Sequence, residues 1–173
     1  IHDKVNYKLP LGFLGNLVAG RMIKKRLSRM FTAREIRLER DLKRHAEFSH
    51  LAKKKILVAG SSGLIGRQLV AFLDTGGHDV WRLVRRKTKA GEKEIEWYPA
   101  QQKINPVELE GFDTVIHLGG AGIGDKRWSK KRMKLIEESR TTSTKFLSET
   151  IADLTNKPAS FIVSSAVGWY GER

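Results

Sequence analysis

Three glycines at three-residue spacing, in Gly60-Ser61-Ser62-Gly63-Leu64-Ile65-Gly66, are the first residues in this chain whose types and positions point to chemistry. The apolar run Lys55-Ile56-Leu57-Val58-Ala59 precedes them and predicts a buried parallel strand. After them Ile65, Leu69, Val70, Phe72 and Leu73 recur at helical spacing until Gly76-Gly77 stops the helix. Asp79-Val80-Trp81-Arg82-Leu83-Val84 predicts a second strand. Strand, glycine turn, helix and strand in about thirty residues is the context in which such a triplet cradles a dinucleotide. Gly60 allows a turn that few Cβ-bearing residues adopt. Gly63 lets the backbone approach a pyrophosphate, and Gly66 lets the helix pack against the strand. The helix start adds free N–H groups and a positive dipole end. Ser62, Leu64 and Ile65 complete the expected cradle. The plainer reading is a tight turn that happens to be rich in glycine; the flanking elements favour the cofactor.

The end of the second strand reports which cofactor. A site for NAD usually carries Asp or Glu there, accepting from the ribose 2′-OH. This chain has Val84-Arg85-Arg86-Lys87 and no acid. A guanidinium suits a 2′-phosphate, whose charge a carboxylate would repel. Arg85 and Arg86 therefore predict NADP in preference to NAD. The competing reading makes them exposed loop charges.

Further elements must complete a sheet around this unit. Glu94-Ile95-Glu96-Trp97 alternates as a short strand does, residues 113–118 form an apolar strand ending in Gly119-Gly120, and residues 160–165 form another. Ser129 to Leu154 predicts one long helix or two joined ones, with Met133, Ile136, Phe146, Leu147, Ile151 and Leu154 toward the core and Pro158 at its end. The expected fold class is α/β, a Rossmann-type doubly wound parallel sheet from about Lys53 onward, with right-handed crossovers.

These pieces resemble the extended side of the short-chain dehydrogenase/reductase superfamily, the NAD-dependent epimerase/dehydratase group. The motifs that carry the resemblance are Gly60-x-x-Gly63-x-x-Gly66, Asp113-x-Val115-Ile116-His117-Leu118-Gly119-Gly120, and Phe161-Ile162-Val163-Ser164-Ser165 followed by Tyr170-Gly171. Arg127-Trp128, Ser139-Arg140 and Ser165-Ala166-Val167-Gly168-Trp169-Tyr170-Gly171 look like signatures of an atypical epimerase-like branch. The resemblance implies that Leu118, Gly119 and Gly120 join the cofactor set. It implies substrate-side places for His117, Trp128 and Arg140, and catalytic places for Ser165 and Tyr170. For His117 a packed structural role stands beside the pocket role, and for Trp128 a core anchor stands beside the substrate role. Ser139 and Arg140 either reach a ligand or join their helix to its neighbours. The group's catalytic Ser or Thr aligns with Ala166, one residue after Ser165. No Tyr here is followed four residues later by the Lys of the group's Tyr-x-x-x-Lys pair, which is expected beyond Arg173.

Composition bounds the rest. The 173 residues contain no cysteine, which excludes a disulfide scaffold, thiolate-bound zinc, an iron–sulfur cluster and a thiol nucleophile. The five His show no metal-ligand spacing, so no metal is expected. Apolar runs fall far short of the roughly 20 residues of a membrane span, and a cytoplasmic protein is the expectation. The net charge of +14 is concentrated: residues 1–55 hold 15 basic and 5 acidic residues, a net of +10. There, after a turn through Gly15, Leu14, Leu17, Val18, Met22, Leu27, Met30 and Phe31 mark one face of a long helix, with Arg21, Lys24, Lys25, Arg26 and Arg29 between them. That helix is a solvated cationic face, a nucleic-acid contact, or a contact with an acidic membrane surface or a partner. Nucleic acid is disfavoured because aromatic platforms are missing between the charges. By resemblance, residues 1–50 look like the last strand and C-terminal helix of a START-like (polyketide-cyclase-type) domain, and 51–173 like the first part of the NAD(P)-binding domain. The chain is thus expected to be a fragment, without an initiator Met. Two functions remain open: an NADP-dependent oxidoreductase or nucleotide-sugar-epimerase-like enzyme acting on a sugar-like or carbonyl small molecule, and a non-catalytic NADP-binding sensor coupled to a START-like ligand domain.

Overall fold

The structure, a computed structural model, describes Asn6 and residues 12–165, with side chains from Ala19 onward. It comprises two units, residues 1–51 and 52–173.

Among the described residues, the first unit holds a single helix, α1 (Gly12–Glu47). The expected turn through Gly15 is not observed. The helix already includes Gly12 to Gly15. Arg44 pairs with Glu47 one turn on at 3.0 Å, and Arg44 and His45 supply positive charge in the last turn. Met22, Met30 and Leu42 are exposed.

The second unit is built on six strands: β1 (Lys55–Ala59), β2 (Asp79–Val84), β3 (Glu94–Tyr98), β4 (Lys103–Ile104), β5 (Thr114–His117) and β6 (Ser160–Val163). Their order in the sheet is β4-β3-β2-β1-β5-β6. All neighbours are parallel except β3 and β4, a short hairpin that the alternation of residues 94–97 did not announce. It turns through Pro99–Gln101 and Gln102, whose φ of 49° is left-handed. Among its described residues the unit also holds two α-helices, α2 (Leu64–Thr75) and α3 (Lys130–Ala152).

The period of two in β1 sends alternate side chains to opposite faces. Leu57 and Ala59 join Leu83, Ile95, Trp97, Val115 and the α3 residues Leu147 and Ile151 in one core layer. Ile56 and Val58 join Val80, Ile116 and the α2 residues Leu69, Val70 and Leu73 in the other. Coverage of both faces explains why β1 is apolar without interruption.

α3 is one helix, opened by Ser129, whose Oγ accepts from the Arg132 N–H at 3.2 Å. It ends at Ala152, well before Pro158, with Asp153 at its C-cap. Leu147, Ile151 and Leu154 are buried as expected. Met133 is 52% exposed because it sits in the first turn, past the reach of the sheet. Ile162 and Val163 are exposed on the edge strand β6. Among the described residues no helix is long and apolar enough to cross a membrane.

Candidate dinucleotide site

β1 delivers Ala59 to the carboxyl edge of the sheet, and the chain turns at Gly60 with φ of 81°. Only glycine adopts that conformation without strain. A second constraint is tertiary: a Cβ here would stand 2.7 Å from the Gly119 nitrogen and the Leu118 carbonyl carbon. Gly60 is thus the point where the loop after β1 meets the loop after β5. Gly66 is buried, and a Cβ on it would run into the Gly60 carbonyl oxygen and stand 2.8 Å from Ser61 Cα. It lets α2 close on its own loop, a tighter contact than the helix–strand packing expected of it. Gly63 has ordinary backbone geometry, φ −72°, and its Cβ would meet only the Gly60 oxygen at 3.3 Å. Its lack of a side chain leaves space in front of the helix start. α2 has no side-chain cap and no acid in its first turn. Leu64 and Ile65 occupy that turn with exposed side chains, and Arg67 Nε donates to the Ser62 carbonyl at 2.9 Å.

These loops border a cavity of about 610 Å³ over the carboxyl ends of the central strands. Gly60, Ser62, Gly63, Leu118, Gly119 and Gly120 line it; the Leu64 and Ile65 side chains do not. Arg67, Arg82, Arg85 and Arg86 also line it, against one acid, Glu94. Four guanidinium groups beside an uncapped helix start suit a ligand carrying several phosphates. The space left by Gly63 and the volume suit a dinucleotide.

Arg85 has no hydrogen-bond or ion-pair partner among the described residues. Arg86 does: Nη1 and Nη2 grip Glu94 at 2.9 and 2.6 Å, and Nη1 also donates to the Lys87 carbonyl at 2.8 Å. Glu94 additionally accepts the Lys89 N–H at 3.1 Å, and its side chain is 2% exposed. The Arg86 hydrogen bonds hold the Glu94 carboxyl below its ordinary range. Glu94 escaped sequence reasoning because it comes from β3. The register pairs it with Arg82 and brings it beside the end of β2.

His117 is 2% exposed and lines the cavity, so the pocket and packing readings hold together. Its ring lies edge-on to Trp97 at 5.7 Å. Nδ1 accepts the Gly119 N–H at 3.3 Å, which assigns the proton to Nε2, 2.9 Å from Ser143 Oγ. Ser143 Oγ passes its own proton to the Ser139 carbonyl at 2.7 Å. Burial lowers the His117 pKa, so the ring is neutral at pH 7.

Ser139 Oγ accepts the Ala121 N–H at 2.8 Å and donates to the Ile136 carbonyl at 2.9 Å. Arg140 Nη1 donates to the Ala121 carbonyl at 3.1 Å, and its guanidinium lies where a Cβ on Gly120 would be, 2.9 Å from Cζ. Ser139 and Arg140 thus bind α3 directly to the Gly119–Ala121 loop, and Ser143 does so through His117. Ser143 was not anticipated.

Trp128 is 59% exposed, which overturns the core-anchor reading, and it is not among the residues that line the cavity. It sits in the loop before α3, where its indole N–H donates to the Ile123 carbonyl at 2.8 Å. Ser165 is exposed and is not among the lining residues. Tyr170 lies outside the described residues. Among the described residues no group of His, Asp or Glu could hold a metal ion.

A mostly parallel sheet whose strand order reverses between β1 and β5, with a glycine loop at that switch point, defines a Rossmann-type dinucleotide-binding domain. The NAD dependent epimerase/dehydratase family matches residues 56–173, and the chain belongs to that family. An epimerase family protein of Mycobacterium bovis is 40% identical over 121 residues, covering 70% of this chain and 39% of its own length. The chain thus spans about two fifths of the curated relatives it matches. Among solved structures, a nucleoside-diphosphate sugar epimerase from Corynebacterium glutamicum is 38% identical with a TM-score of 0.65, covering 82% of this chain and 29% of that one. That share exceeds what residues 56–173 alone supply, so part of the first unit is matched too. The human epimerase family protein solved with NADPH is 25% identical, with a TM-score of 0.58 over 68% of this chain and 38% of that one. MoeE5, solved with UDP-glucose and NAD, is 27% identical, with a TM-score of 0.54 over 69% of this chain and 38% of that one. The neighbours support a nicotinamide cofactor.

Proposed function

We propose that residues 51–173 form the cofactor-binding part of an NADP-dependent oxidoreductase or nucleotide-sugar-epimerase-like enzyme. The observation that carries this reading is the arginine-lined cavity at the glycine loop, with Arg85 unengaged at the end of β2. The nicotinamide, when bound, supplies hydride transfer to or from a sugar-like or carbonyl substrate. The chain's own residues do the positioning. The α2 start and the Gly60–Gly66 loop hold the pyrophosphate, and Arg85 meets the 2′-phosphate. His117, neutral and buried, fixes the Gly119 amide, while Ser139 and Arg140 fix Ala121, so the loop facing the cofactor is set before ligand arrives. Ser165 and Tyr170 are the candidates for orienting and protonating the substrate carbonyl, and Arg140 for holding the substrate. The UDP-glucose complex of MoeE5 supports a sugar nucleotide as the substrate class.

Residues 1–50 are proposed to close a START-like domain. The amphipathic length of α1 supports this, as does a Corynebacterium match that runs into the first unit. A second reading, a non-catalytic NADP sensor, draws on one observation. Two of the cavity's hydroxyls, Ser139 and Ser143, donate to backbone carbonyls rather than standing free for proton transfer. The test follows NADPH absorbance at 340 nm with sugar nucleotides and simple carbonyl compounds added to the intact protein, together with product analysis for epimers. Turnover supports the enzyme. Tight NADPH binding with neither oxidation nor epimerised product supports the sensor.

A further inference from the structure

We propose that Glu94 is a latent ribose-reading acid kept silent by Arg86, and that this ion pair sets the nucleotide preference of the cavity. The proposal rests on the NADP reading above and concerns how the same site tells NADP from NAD.

Sites for NAD place a carboxylate at the end of the second strand, where it accepts from the ribose diol. β2 has no acid at its end, but its neighbour β3 begins with one. Glu94 lines the same cavity as Val84, Arg85 and Arg86, and its side chain is nearly sealed from solvent. Its oxygens are already engaged: Oε1 by Arg86 Nη2, and Oε2 by Arg86 Nη1 and the Lys89 N–H. A carboxylate offers about four acceptor positions, so little capacity is left for a ribose.

Arg86 thus does two things at once. It cancels the one negative charge that would repel a 2′-phosphate, and it occupies the oxygens that would attract a 2′-hydroxyl. Its Nε proton and one Nη2 proton stay available to a phosphate beside Arg85. Removing Arg86 frees two buried acceptors. Two groups that favour its ionised form would remain: Arg82 Nη2, which pairs with Glu92 and stands 3.9 Å from Oε1, and the Lys89 N–H. The bare carboxylate would then act as the acid of an NAD site.

A plain phosphate-binding role for Arg86 makes a different forecast, and NAD affinity separates the two. The experiment is calorimetric titration of the intact protein with NADP and NAD, for wild type, R86A, E94Q and R86A/E94Q. R86A is expected to bind NADP at least tenfold more weakly and NAD about ten- to a hundredfold more tightly, one added charge-assisted hydrogen bond's worth. R86A/E94Q is expected to lose the NAD gain while NADP stays weak. E94Q alone is expected to bind NADP no more weakly than wild type. Circular dichroism checks folding; if R86A does not fold, R86Q, which retains one donor to Glu94, is expected to show the same directions at smaller size. Unchanged or weakened NAD binding in the folded variant overturns the role of Glu94 and leaves the NADP reading standing. A wild type that binds neither nucleotide overturns the cofactor reading and this proposal with it.

Discussion

Substituting alanine at Gly66 and at Gly63 separates what the glycine loop does for the fold from what it does for a ligand. At Gly66 the new methyl would run into the Gly60 carbonyl oxygen and stand 2.8 and 2.9 Å from Ser61 Cα and the Gly60 carbonyl carbon. Ordinary carbon contacts lie at about 3.5–4.0 Å, so the loop backbone must retreat by most of an ångström. No flexible side chain is available to give way. Overpacking of this kind costs about 1–3 kcal/mol, and contact with backbone places Gly66→Ala at the upper end. Better helix propensity offsets about 1 kcal/mol. The net is about 2 kcal/mol, or a fall in melting temperature of roughly 4–8 °C for a domain of 150–250 residues. Cofactor affinity should fall with it, because the displaced residues are the cradle itself. Gly63→Ala should behave oppositely. Its φ is ordinary and its single contact, 3.3 Å, is mild. Stability should hold within a degree or two, while nucleotide affinity drops at least tenfold because the methyl enters the space before the helix start. The assay is differential scanning fluorimetry paired with titration of NADPH. Equal melting of wild type and Gly66→Ala, or unchanged affinity in Gly63→Ala, refutes the reasoning.

Other outcomes follow from the same geometry. Arg85→Ala should weaken NADP about ten- to a hundredfold and leave NAD nearly unchanged by calorimetry, since one charge-assisted hydrogen bond contributes roughly 1.5–3 kcal/mol. Val84→Asp should shift preference toward NAD in the same titration, because a carboxylate there accepts from the ribose and repels the phosphate. Burial depresses the His117 pKa from its ordinary 6.5, so between that value and its lower folded value the unfolded chain binds more protons. Stability to urea should therefore decline as pH falls below about 6.5, and His117→Asn should reduce that slope. Ser139→Ala leaves the Ala121 N–H without its acceptor. It should cost roughly 1 kcal/mol or more in urea unfolding and weaken NADPH binding.

Much of the fold was legible because β1 and β5 lie buried in the middle of the sheet and show short apolar runs, while β2 was marked by its place after the glycine loop and α2. β4 was not, because two residues set by the Gln102 turn carry no periodicity of their own. The glycine loop was legible in position but only partly in cause. The contact of Gly60 with the loop after β5 joins residues about sixty apart in the chain, which spacing alone does not reveal. Glu94 was hidden for the same reason, as sheet register decides that it faces the end of β2. Ser143 did leave a signal. It falls on the stripe that continues through Leu147 and Ile151 at four-residue spacing, and a hydroxyl in an apolar stripe asks for a partner, here His117. Trp128 misled because size and aromaticity favour the core, whereas its position in the loop before the N-cap of α3 leaves it outside.

Binding of NADPH and NADH to the intact protein, titrated side by side at fixed salt, tests most directly whether the arginine-lined cavity is a site for a 2′-phosphorylated dinucleotide. The expected result is one site per chain for each nucleotide, with NADPH tighter by about ten- to a hundredfold. Equal affinities, or no binding of either, contradict it.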